Sequence, residues 1–212
     1  LMAMKFLRKA GVNLAGDVIF ESVVNEEHSG NGTLDLIRRG YTANGAIVLE
    51  PTHNKIAVSH PGGLYWQITI PGCPRSPGAR WVDGHMQGVS AIEKLAPILT
   101  ALLNLETTYN SKISSDPMET GRAPFSLVVG KVAGGHYESV TASETVLRGG
   151  VYFSPVAGDI HDIMDSMKKT IKNANRNDSF LSDNPARLEF LHHDDSTRQS
   201  PQIPIAIALA NC

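Results

Sequence analysis

Two adjacent carboxylates, Glu26 and Glu27, close the apolar run in DVIFESVVNEEHSGNG, just before a glycine-rich turn. Neighbouring residues in an extended chain point in different directions. One carboxylate can therefore hold a cation while the other reaches a water on that cation. A metal-bound water has its pKa lowered toward neutrality, and a second carboxylate can take its proton as general base. The competing reading is an exposed acidic turn. Glu50, at the end of GAIVLEP, is a second clue. If both apolar runs are strands of one sheet, they deliver carboxylates to the edge where open α/β sheets gather ligands. An acid before a strand-ending proline is also an ordinary turn feature, and three carboxylates without a histidine make an incomplete zinc site.

These residues need elements to position them. LMAMKFLRKAG reads as the last turns of an amphipathic helix stopped by Gly11. DVIFESVV and GAIVLEP read as buried strands of a parallel sheet. Between them GTLDLIRRG reads as a short helix, with Thr33 as N-cap and Gly40 as C-cap. From about His60 the pattern changes. GGLYWQITIPG alternates like a half-buried strand. A Pro/Gly-rich loop then leads to a helix from Val89 to about Leu105, striped by Val89, Ile92, Leu95, Ile98, Leu99 and Leu102. FSLVVGKVAG and ASETVLRGGVYFSP read as strands. A helix from about Asp159 to Lys172 presents Ile160, Ile163, Met164 and Met167, and ARLEFLHH is a last strand. The order β-α-β-β-α-β is the split βαβ, or ferredoxin-like, arrangement, an α+β unit set into α/β material to which PIAIALANC returns. The expected divisions are 1–58, 59–198 and 199–212. Both ends read as cut through secondary structure, so a piece of a larger protein is expected.

The totals exclude several classes. With 212 residues and a formal net charge of -2, the chain carries no basic footprint for nucleic acid or an anionic membrane. No apolar run approaches the roughly 20 residues of a membrane span. Cys73 and Cys212 have no partner at metal-ligand spacing, which fits a reducing, cytoplasmic setting. HHDD at 192–195 invites a metal reading, but adjacent strand histidines face opposite ways, and a solvated strand end is favoured. His28 could support the glutamates or point to solvent. Trp66 and Trp81 read as core or interface anchors.

VIFESVVNEEHSGNGTLDLIRRG followed by AIVLEPT resembles the zinc-dependent amidohydrolases that include acetylornithine deacetylase, succinyl-diaminopimelate desuccinylase and glutamate carboxypeptidase. The likeness extends through WQITIPG, GVSAIEKL, VVGKVAGG and LRGGVYFSP, nearly the whole chain. It implies a two-zinc α/β catalytic domain, here partial over 1–58, interrupted by a ferredoxin-like lid that commonly dimerises. Glu26 resembles the general base, Glu27 a ligand of one zinc and Glu50 a ligand of the other. The family's remaining ligands fall outside the 212 residues, so this chain is expected to be inactive alone.

Departures from the family pattern bear on substrate. A histidine expected soon after IPG is met by Ser76, and His85 is a possible substitute. The asparagine expected after the GG strand is met by Ser139. The arginine used for a substrate carboxylate is met by Tyr152, with Arg148 nearby. The expected substrate is an N-acyl amino acid or related small amide, with the departures favouring another acyl amide. A homodimer through the lid is expected, using the 89–105 helix and an edge strand. The alternative is a non-catalytic dimerisation or interaction module with a vestigial metal site.

Overall fold

Residues 1–27, 30–113 and 123–212 are described by the structure, a computed structural model. His28 lies outside them. The chain divides into two units, Leu1–Asn54 and Lys55–Cys212.

The first unit holds α1 (Met2–Lys9) and α2 (Asn31–Arg38). Both helices stop the same way. Gly11 at φ 71° and Gly40 at φ 88° take left-handed backbone that costs a glycine little. The Val12 amide then donates to the Leu7 carbonyl (3.1 Å), and the Tyr41 amide to the Leu36 carbonyl (3.1 Å), satisfying carbonyls that the helix leaves open. Thr33 is not the N-cap of α2. That place belongs to Gly30, itself left-handed at φ 58°, and Thr33 lies inside the first turn.

The expected strands at 17–24 and 45–51 do not form. Neither segment is a ladder member, and Val48 (78% exposed) and Leu49 (84% exposed) face solvent. Apolar composition records a demand for burial, whereas a strand requires a neighbour to accept its backbone hydrogen bonds. Two such segments alone make at best a marginal pair, so the parallel sheet is not seen among the described residues.

In the second unit the alternation was a sound guide. Its elements are β1 (Ser59–His60), β2 (Gly62–Pro71), β3 (Trp81–Val82), β4 (His85–Met86), α3 (Leu95–Lys112), β5 (Phe125–Gly134), β6 (Glu144–Phe153), α4 (Ile160–Arg176), β7 (Arg187–Asp194), β8 (Thr197–Arg198) and α5 (Pro204–Ala210). Four of the strands form an antiparallel sheet in the order β5-β6-β2-β7. Every second residue of β2, from Leu64 through Trp66 and Ile68 to Ile70, is buried. These side chains join Ile98 and Leu102 of α3, and Ile163 and Met167 of α4, in one core. Each full burial of this kind contributes roughly 1.5–3 kcal/mol.

Helix α4 starts where the sequence places it because Asp159 caps it. The Asp159 carboxylate accepts from the Asp162 amide (2.9 Å), and the Asp159 amide donates back to the Asp162 carboxylate (3.3 Å). Helix α3 starts six residues later than its apolar stripe suggests. The Cys73 and Val89 backbones pair reciprocally (2.7 and 3.0 Å), and the Ala91 amide donates to the Ala142 carbonyl (2.9 Å). Val89 and Ala91 are thereby tied to residues outside the helix, and Ile92 is left outside the core.

Each edge strand of the sheet carries a bulge. Gly130 is the extra residue in β5 and Leu191 in β7. Beyond a bulge the side-chain alternation is reversed relative to the partner strand.

Candidate functional site

Glu26 and Glu27 sit on a tight exposed turn whose walls are built by their neighbours. Asn25 adopts φ 61°, a left-handed conformation that asparagine tolerates better than most residues. Its side-chain amide donates to Asn31 Oδ1 (3.0 Å), and its carbonyl accepts from the Gly30 amide (3.1 Å). Gly32 lies so close to the Val24 backbone that a Cβ there would collide with the Val24 carbonyl. The apolar run, the acidic turn and the first turn of α2 are thus clamped together, with both carboxylates outside the clamp. Asn25, Asn31 and Gly32 were not singled out as positioning residues by sequence reasoning. The signal was an asparagine at a turn that must reverse the chain within six residues.

Glu50 is exposed at the end of the second apolar segment. The Thr52 amide donates back to the Glu50 carbonyl (2.8 Å), and His53 and Asn54 follow at positive φ. Glu26, Glu27 and Glu50 do not assemble into a ligand set. Among the described residues, no group of three or more His, Cys, Asp or Glu side chains is placed to hold a metal ion. The donor set is also all carboxylate, without the imidazole typical of catalytic zinc. Taken alone, these residues do not fit the two-zinc centre that the resemblance implies.

The remaining predicted residues belong to the second unit. His85 is exposed on β4, in a hairpin with β3 that turns at Asp83 and Gly84, both at positive φ. Trp81, on the same hairpin, is 59% exposed, whereas Trp66 is fully buried in the core. Arg148 is exposed on β6, where its Nε donates to Gln67 Oε1 (2.7 Å) across the β2–β6 pair. His85 and Arg148 therefore lie on separate elements.

HHDD is structural at its far end. The Asp195 carboxylate accepts from the Ile160 amide (3.0 Å), which adds a second acceptor at the start of α4. His192 Nε2 pairs with Asp194 (2.9 Å), and no metal-holding group forms there among the described residues.

Two curated relatives match the chain in sequence. It is 31% identical over 179 residues to the N-formyl-4-amino-5-aminomethyl-2-methylpyrimidine deformylase of Bacillus subtilis, covering 79% of this chain and 41% of that protein. It is 32% identical over 164 residues to the protein of the same name from Halalkalibacterium halodurans, covering 73% and 37%. The likeness is to amide-bond hydrolases.

The crystal structure of aminopeptidase PepT from Bacillus cereus has the same fold over 97% of this chain and 49% of its own, with TM-score 0.62 and 14% identity. The chain spans well under half the length of the curated relatives it matches. No protein-family profile matches it.

Proposed function

We propose that the whole protein hydrolyses the amide bond of a small N-acyl compound, with Glu26 as its general base. The observation that carries this reading is the clamped Glu26–Glu27 turn, in a chain that matches a deformylase over 179 residues. Glu26 would take a proton from the attacking water as the water oxygen bonds to the acyl carbon. It would then return the proton to the leaving amine as the C–N bond breaks. An exposed turn held by its own backbone suits a group that must reach the reacting atoms.

Glu27 and Glu50 are proposed as single ligands to two zinc ions in the whole protein. The described residues do not assemble that centre by themselves, and support for it comes from the sequence resemblance alone. His85 and Arg148 are proposed as substrate contacts. Tyr152, standing where a carboxylate-binding arginine is expected, favours a formyl or other small acyl amide over an N-acyl amino acid.

The four-stranded unit is proposed to be a ferredoxin-like lid, supported by its β-α-β-β-α-β order and the sheet order β5-β6-β2-β7. A homodimer would form through α3 and an edge strand. A cytoplasmic setting is proposed from the two free cysteines. No helix among the described residues is long and apolar enough to cross a membrane.

A chimeric protein tests the substrate class. Residues 1–212 would replace the aligned segment of the Bacillus subtilis deformylase. The expected result is hydrolysis of the formylated aminopyrimidine in preference to dipeptides and N-acetyl amino acids. A soluble, folded chimera that cleaves only peptides would replace the deacylase reading with a peptidase one.

A further inference from the structure

The sheet of the second unit has one face covered by α3 and α4 and one open face. On the open face Lys131 of β5 stands directly opposite Arg148 of β6, and Arg148 stands opposite Gln67 of β2. Both basic side chains are exposed. Like charges directly opposed on a sheet destabilise it, and this pair exists because of the bulge. Were Gly130 paired in regular register with Arg148, Lys131 would fall opposite Leu147, on the helix-covered side. Leaving Gly130 unpaired turns Lys131 over to join Arg148. Bulges that re-aim a side chain are frequent beside functional sites.

The nearest acid along this row is Glu189 of β7, with Gln67 between it and Arg148. Gln67 accepts from Arg148 Nε (2.7 Å), which fixes the plane of the guanidinium and leaves its terminal nitrogens to meet a ligand. Gly150 stands next on the open side, flanked by Val128 and by the Tyr65 ring, and a Cβ at Gly130 would meet nothing within 4 Å.

We propose that Lys131 and Arg148 form a binding site for an oxyanion, a phosphate or carboxylate group taken from solution. Arg148 would hold two oxygens through its planar fork, and the Lys131 ammonium would neutralise the remaining charge. The proposal concerns binding only: it states what kind of group Arg148, proposed above as a substrate contact, would hold, and its test involves no hydrolysis.

The test is titration of the full 212-residue chain at fixed ionic strength, with inorganic phosphate and separately with acetate, followed by amide NMR shifts. Saturable shifts are expected at residues 128–131 and 147–150. Arg148→Gln and Lys131→Gln should each weaken binding about tenfold, whereas Lys169→Gln, on the helix-covered side, should leave it unchanged. The tighter of the two anions identifies the group preferred. Thermal melts of the same variants establish that they are folded. Shifts that never saturate, or that survive both substitutions in folded protein, would overturn the site.

Discussion

The side-chain amide of Asn25 donates to the side-chain oxygen of Asn31 across 3.0 Å, closing the turn that carries Glu26 and Glu27. The bond joins the residue before the two acids to the first residue of α2. It coincides with a left-handed φ of 61° at Asn25. Asn25→Ala removes both the bond and the side chain that tolerates that backbone, and should cost about 1–2 kcal/mol locally. Asn25→Gly keeps the backbone freedom and should cost less than Ala. Amide exchange at Gly30, which donates to the Asn25 carbonyl, is the measurement. It should accelerate in the order wild type, Gly, Ala.

Gly149 of β6 is a position where the core tolerates no side chain. A Cβ there would run into the Val128 carbonyl and the Trp66 ring. Trp66 is fully buried and cannot withdraw. Gly149→Ala is expected to destabilise the second unit by about 1–3 kcal/mol, lowering Tm by several degrees. Gly63→Ala meets nothing within 4 Å and should leave Tm nearly unchanged.

Acid stability should depend on Asp178. Burial disfavours its charge, but the Lys94 ammonium (2.8 Å) and the amides of Leu181 and Phe180 outweigh it and hold the carboxyl below its ordinary 3.8. A folded-state pKa below the unfolded one gives stability that is complete above the unfolded value. That stability fades as pH falls past 3.8 and through the lower folded value. Asp178→Asn should therefore be destabilising at pH 6, and the difference from wild type should shrink below about pH 4. Chemical denaturation at the two pH values measures it.

How much of this was legible depended on whether a residue's environment was local. The alternation of β2 and the three- and four-residue spacing in α4 each report one face of one element, and both held. Asp159 was visible as the start of α4, but the second acceptor on that helix, Asp195, arrives from 35 residues away. The late start of α3 had the same cause, since Val89 is held by Cys73 and Ala91 by Ala142. Asp83-Gly84 is a local hairpin signal, masked by the surrounding loop rich in proline and glycine. The strands expected at 17–24 and 45–51 failed for the opposite reason. Their composition is strand-like, but pairing is a property of neighbours. The bulges at Gly130 and Leu191 escaped notice because a register shift appears only when two strands are laid side by side.

Glu26 carries the account. The chimeric deformylase containing residues 1–212 should lose at least about a hundredfold in kcat on Glu26→Gln. KM should change little, because the amide keeps the shape of the side chain and gives up only its proton affinity. A Glu26→Gln chimera that retains wild-type kcat would contradict the assignment of Glu26 as the general base.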